Sequence, residues 1–267
     1  MNQVLTKPLW VFFLGSVLAL AGACRRGVPA TSNDASGNRF KGPGIVGAVK
    51  DEAGRNVEGV LVQGCTNTAC LTATTNTSGR FHIAGFNAPV DVAVKVPEDE
   101  GAGPPRLETI TPVRLVDESV VDVGTLYVPV MPAPVRLGPK YPQTIQLSDG
   151  LSLQLHSKDI SWPPAASSND QLAARLLTPL HIPKFPELGA EKVLAVYAFF
   201  PFGTRSKSKI SLRFPTTMPA GTKVRLRTIR ELDGRLSPPE GGTSDGKFIV
   251  SDPGAGIADL TWLVVSR

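Results

Sequence analysis

The chain has 267 residues, 42% hydrophobic and 19% charged, with a formal net charge of +5; that is enough apolar material for a core and excludes wholesale disorder. Proline (24) and glycine (26) together exceed ordinary usage, and three histidines with three cysteines leave little material for a metal centre or a His-based relay. Lys7 is the only charge before Arg25, and residues 8–23 form an almost unbroken apolar run. A membrane-spanning helix needs about 20 such residues, so the run fits the core of a signal peptide over 1–23, with an uncleaved anchor as the lesser alternative.

The run ends Leu18-Ala19-Leu20-Ala21-Gly22-Ala23-Cys24. This resembles the lipobox of bacterial lipoproteins, in which small residues precede a cysteine that is acylated and becomes the new N-terminus. The family usually has Leu three residues before that cysteine, where this chain has Ala21. Ala21-Gly22-Ala23 also reads as an A-x-A site for ordinary secretion. The resemblance implies lipid (palmitate-type acyl chains) on Cys24, and Arg25, standing where the family's inner-membrane retention signal has Asp, implies the outer membrane. Cys65 and Cys70 then remain as an even pair in an oxidising compartment, expected to form a disulfide, with two buried free thiols as the alternative.

Residues 24–42 lack apolar periodicity, are rich in Ser, Asn and Gly, and read as a flexible tether. From residue 43 short β-type runs alternate with turn signals. Val92, Val94 and Val96 alternate with Asp91, Ala93 and Lys95, and Phe81 and Ile83 with Arg80 and His82. Gly79 is expected at positive φ, aiming Phe81 into a core. Residues 129–142 hold five prolines, so 130–142 is expected to be a stiff inter-domain linker.

Beyond it β patterning resumes over 143–267. Leu151, Leu153 and Leu155 alternate with polar residues, as do Ile210, Leu212 and Phe214. Asp149-Gly150, Asp233-Gly234 and Asp245-Gly246 are hairpin dipeptides. Residues 192–200 are apolar on both faces, as in a central strand. Only 169–177, with Asp170 near its start, has a pattern a helix could use. The fold class read from this pattern is all-β, two antiparallel β-sandwich domains after the signal peptide and tether.

Gly44-Ile45-Val46-Gly47-Ala48-Val49-Lys50-Asp51, then Gly54, Gly59-Val60-Leu61-Val62, Thr75-Asn76-Thr77-Ser78-Gly79-Arg80-Phe81 and Asp122-Val123-Gly124-Thr125-Leu126 resemble the carboxypeptidase regulatory-like family. The likeness covers 43–129 and implies a transthyretin-like sandwich. Asn76 stands where the family usually has Asp. In metallocarboxypeptidases that module sits beside the catalytic domain, whose zinc ligands have no counterpart here, so no enzyme is implied. Pro201-Phe202-Gly203, the run Pro219-Ala220-Gly221-Thr222-Lys223-Val224 and the stretch from Ser251 to Trp262 look like a β domain of large bacterial surface proteins.

Candidate chemistry is sparse. Gly242-Thr243-Ser244-Asp245-Gly246 spells G-x-S-x-G, but no histidine follows position 181 and no helix pattern follows the serine, so the Asp245-Gly246 turn explains it. His82, His156 and His181 share no ligand spacing, and Glu98-Asp99-Glu100 lacks the alternating carboxylates of a calcium loop. Charge is more informative. Segment 43–129 has six basic and eleven acidic residues, whereas 201–235 has nine basic and two acidic. Arg205, Lys207, Lys209 and Arg213 alternate on one run, and Lys223, Arg225 and Arg227 on another. Were those strands to pair, a basic patch for phosphate-bearing surfaces would result; a merely soluble outer face is the alternative.

The expectation is therefore a non-catalytic cell-envelope lipoprotein of the outer membrane, a binding or structural module without cofactor. Its partners would be the membrane, through its lipid, and an envelope protein or glycan, with no nucleic acid. The alternative is a hydrolase or hydrolase-accessory subunit acting on envelope glycans or peptides.

Overall fold

The computed structural model describes residues 44–99, 104–139, 142–164, 166 and 169–267. The signal peptide, Cys24 and the tether lie outside the described residues. Among those described, no helix is long and apolar enough to cross a membrane.

Seven strands form the first unit: β1 (Gly44–Asp51), β2 (Leu61–Cys65), β3 (Cys70–Thr74), β4 (Arg80–Ala84), β5 (Val90–Val96), β6 (Thr109–Leu115) and β7 (Val120–Val128). They make two sheets, β4-β1-β7 and β3-β2-β5-β6. Their apolar positions meet in one core that includes Ile45, Val62, Phe81, Val92, Val94 and Leu126. The pairing departs from the expected all-antiparallel pattern at one place, where β1 runs parallel to β7. A β1–β7 pair joins the two ends of the unit, with no hairpin between them to force antiparallel entry.

Turn chemistry sets this register. Thr75 is buried; its hydroxyl donates to the Val57 carbonyl (2.7 Å) and accepts from the Val60 amide (2.9 Å). The Asn76 side-chain oxygen accepts from the amides of Ser78 and Arg80, an Asx turn that Asn serves as well as Asp. Gly79 sits at φ 70°, and a Cβ there would lie 2.7 Å from the Val49 carbonyl oxygen, so both conformation and space exclude a side chain. Phe81 then points inward, 4% exposed. Cys65 and Cys70 lie opposite each other at the end of the β2–β3 pair and form a disulfide.

The second unit comprises β8 (Val135–Arg136), β9 (Gln143–Gln146), β10 (Ser152–Leu155), β11 (Ile160–Ser161), β12 (Gln171–Leu176), β13 (Val193–Phe200), β14 (Thr204–Pro215), β15 (Lys223–Thr228), β16 (Glu240–Ser244), β17 (Phe248–Ser251), β18 (Ile257–Leu260) and β19 (Trp262–Ser266). They form one large sheet in the order β8-β12-β13-β19-β15-β16-β17-β14-β10-β9, with β11 and β18 also paired to β14. The sheet folds over a core of Leu151, Leu153, Tyr197, Phe199, Leu212, Phe214 and Val265, among others. The proline-rich stretch supplies β8 as the sheet's terminal strand, a place compatible with prolines nearby.

The segment 169–177 is not a helix: β12 pairs with both β8 and β13. Leu172 and Ala174 enter the second unit's core while Ala173 faces the opposite way into another apolar cluster. A short segment buried on both faces gains more from ladder bonds than two helical turns could supply.

That other cluster joins the units. Ala93, Leu107 and Ile110 of the first pack with Phe185, Val196, Phe200, Phe202, Trp262 and Val264 of the second. β13 and β19 are thus covered on both faces, which explains the unbroken apolar run at 193–200. Polar contacts cross the same seam. Trp262 Nε1 donates to the Glu108 carbonyl (2.9 Å), the Phe202 amide to Glu98 Oε2 (3.3 Å), and Arg175 pairs with Glu52 (2.9 Å) and donates to the Val130 carbonyl (2.8 Å).

Candidate functional site

The two basic runs fall on β14 and β15, which β16 and β17 separate. They do not pair, so the sequence pattern yields no single continuous patch. Most of their charge is answered locally. Arg205 faces Asp259 (3.5 Å), Lys209 Glu240 (2.8 Å) and Lys223 Asp252 (3.5 Å). Arg213 lies over the Phe248 ring, 3.2 Å from its centroid. Lys207 is exposed and has no ion pair among the described residues.

Arg225 and Arg227 converge on Glu191, at 2.5 and 2.8 Å, and the Ser266 hydroxyl donates to the same carboxylate (2.7 Å). Hydrogen bonds from Arg227, then from Ser266 and Arg225, hold the Glu191 carboxyl down at about 2. A depressed carboxylate contributes stability above its unfolded value of 4.5 and loses it as pH falls toward 2. Glu191→Gln should therefore lower the melting temperature at pH 7 and converge on wild type near pH 2, as thermal melts at the two pH values would measure.

The other sequence candidates are dispersed. Ser244 is 2% exposed; its hydroxyl donates to the Met218 carbonyl (2.9 Å) and accepts from the Gly246 amide (3.1 Å). It sits in a strand–turn–strand, without the strand-to-helix elbow of a nucleophile. His82 lies on β4, His156 precedes a short turn at 157–159, and His181 stacks on Tyr127 with ring centroids 4.2 Å apart. No group of acidic, His or Cys side chains suited to a metal ion occurs among the described residues.

Alternation places Lys95 on the face of β5 opposite Val92, Val94 and Val96, and there it is only 6% exposed. The alternation was read correctly, but the second unit covers that outer face. The ammonium stands 3.6 Å from Glu108 and 3.7 Å from Glu231, and 5.7 Å from the centroid of the Phe202 ring. Glu108 is 8% exposed, and its Oε1 accepts no hydrogen bond. Burial pushes the Glu108 carboxyl up to about 8 against the opposing pull of Lys95, with Glu98 and Glu231 adding to the rise. Lys95 therefore stands between two carboxyl groups, of which the buried Glu108 is biased toward its protonated form.

A groove opens on the first unit's flank. β6 and β7 end their respective sheets, so each presents one unpaired edge. At one end these edges are stitched together: the Leu107 amide donates to the Pro129 carbonyl, the Met131 amide to the Pro105 carbonyl, and the Thr109 hydroxyl to the Tyr127 carbonyl. Toward the other end they diverge into a fork of about 600 Å³, closed on one side by the 180–186 loop of the second unit. Consecutive residues of each strand, 111–114 and 121–127, line it. Side chains alternate between faces, so a wall of consecutive residues marks strand edges, not a sheet face. The loop brings His181 onto Tyr127 and leaves Leu180 76% exposed at the rim. Periodicity could not locate this groove; the prolines at 183 and 186 were the only local signal of an irregular loop.

No family model and no curated protein matches the chain. Among solved structures it is similar to a streptococcal ancillary pilin, at 12% identity and a TM-score of 0.28, over 85% of this chain and 54% of that one. It is also similar to a DUF3823 family protein from Parabacteroides merdae, at 9% identity and a TM-score of 0.24, over 85% of this chain and 80% of that one. The chain spans about half the length of the pilin.

Proposed function

We propose that this protein is a non-catalytic cell-envelope module, held at the outer membrane by lipid on Cys24, that binds an extended segment of another envelope protein in the fork between β6 and β7. The observation that carries the reading is the groove wall of consecutive strand residues. Such a wall offers backbone donors and acceptors to an added strand, while side-chain pockets on either side select its sequence. The exposed Leu180 supplies an apolar contact at the rim. The shared core between the units supports display of a fixed surface, since a large apolar interface suppresses relative motion.

The anchor follows from the lipobox-like end of the leader. Two or more acyl chains bind a leaflet stably where one binds marginally. Mass spectrometry of the mature N-terminus should find a triacylated Cys24, and Cys24→Ser should release the protein from membranes. A photo-cross-linking residue at position 180 should give one dominant adduct with an envelope protein, retained in the surface control Asp117→Ala and lost in Val123→Asp, inside the fork. An unmodified soluble N-terminus would overturn the anchor, and cross-linking indifferent to Val123→Asp would overturn the groove.

A further inference from the structure

We infer that a second cleft, at the seam beside the disulfide-clipped hairpin tip, binds a neutral, hydroxyl-rich ligand of the pyranose-sugar class. The cleft measures about 320 Å³ and is walled by both units, a size at the lower end of small-molecule sites and a place where such sites concentrate. From the first unit comes Asn67, in the four-residue tip between Cys65 and Cys70. The tip is held by the disulfide and by the Thr66 amide donating to the Ala69 carbonyl (2.8 Å). Asn67 is therefore presented with little left to order on binding.

The second unit supplies the remaining wall. Gly203 lines the cleft at φ 83°, and a Cβ there would lie 3.1 Å from Glu231 Oε2, so glycine keeps this part of the wall open. Arg205 and Asp259 face each other across a loose 3.5 Å contact with both side chains well exposed. A guanidinium has five N–H donors and a carboxylate about four acceptor sites, so one long contact leaves most of that capacity for a ligand. Arg230 is engaged by Asp233 and Glu231 by Lys95.

Charge and shape then narrow the ligand. Two guanidiniums stand among three carboxylates, and Lys95 behind Glu231 brings the sum to zero. A phosphate or carboxylate would meet three like charges, and an ammonium three as well, Lys95 included. A neutral ligand with many hydroxyls meets neither and can bridge Arg205 and Asp259. Leu232, 53% exposed, stands on the same cleft as an apolar surface. One apolar face beside paired donors and acceptors matches a pyranose ring, with its C–H face and its hydroxyl edge.

The test uses the full mature protein and three probes: methyl α-mannopyranoside, methyl β-glucopyranoside and N-acetylglucosamine. At least one should bind with a dissociation constant of about 0.1–10 mM, the range of a few bridging hydrogen bonds on a small ligand, with amide shifts centred on Gly203 and Leu232. Asp259→Asn and Asn67→Ala should each weaken that binding by about tenfold. Leu232→Asp alters an exposed side chain, so it keeps the test decisive if Asp259→Asn does not fold, and it too should weaken binding. Leu180→Asp in the β6–β7 groove should leave sugar binding unchanged, which separates this site from the proposed protein partner. Absence of shifts with all three sugars, shifts confined to the groove, or binding indifferent to the cleft variants would overturn the inference.

Discussion

Trp262→Ala is expected to destabilise the protein by about 3–5 kcal/mol and to divide its unfolding into two steps. Trp262 is fully buried at the start of β19, in the cluster that Leu107 and Ile110 enter from the other unit. Truncating a buried Trp costs about 3–5 kcal/mol, the transfer contribution plus that of the cavity left behind. Its indole N–H also donates to the Glu108 carbonyl across the seam, so the substitution leaves a buried acceptor unmet. That loss is a large part of the roughly 5–15 kcal/mol that holds a domain folded. Wild type should melt in one calorimetric transition because the units share a core. Leu153→Ala, deep in the second unit's own core, should cost about 2–5 kcal/mol while leaving the transition single. A Trp262→Ala protein that still melts in one step would show that the units are coupled elsewhere.

Glu108→Gln is expected to stabilise the protein at pH 7 and to remove most of its stability loss between pH 5 and 8. The folded carboxyl titrates near 8, above its unfolded value of 4.5. Below 4.5 both states hold the proton. Between the two values only the unfolded chain ionises, so stability falls by about 1.4 kcal/mol per pH unit. Above 8 the folded state ionises too and the loss levels off. Glutamine copies the neutral shape and cannot ionise when unfolded, so its gain should be on the order of 1–3 kcal/mol at pH 7. Denaturant titrations at several pH values would measure both slopes. Lys95→Met, which removes the opposing cation at 3.6 Å, should extend the wild-type slope to higher pH. The depressed carboxylates Asp51, Asp91 and Glu191 act in the opposite direction and only toward acid.

The fold was legible where local chemistry decides it. The Thr75–Phe81 turn, the inward Leu151, Leu153 and Leu155, and the short Cys65–Cys70 spacing each carry their geometry within a few residues. The segment 169–177 was not legible, because the strands that pair with β12 lie on both sides of it in the chain and its own periodicity is weak. The burial of Lys95 was not legible for a related reason: strict alternation identifies the face of β5 that points away from its own sandwich, but not whether another unit covers that face. The basic runs showed which side chains share a face. They could not reveal that Glu191, Glu240, Asp252 and Asp259 answer them, since an ion pair between distant segments leaves no spacing to read. Both cavities lie where non-adjacent segments meet, at the fork of two sheet edges and at the seam of two units, and no single stretch of sequence encodes either.

The chain enters the described structure at Gly44, and β1 lies between β4 and β7 in its sheet. Tension applied through the preceding residues would run along an inner strand, bonded on both sides and parallel to one neighbour. Ladder hydrogen bonds lie across the strand, so such a tug loads the bonds to both neighbours at once in shear. If the proposed anchor at Cys24 holds, drag on the body would be borne in shear by both ladders of β1 together.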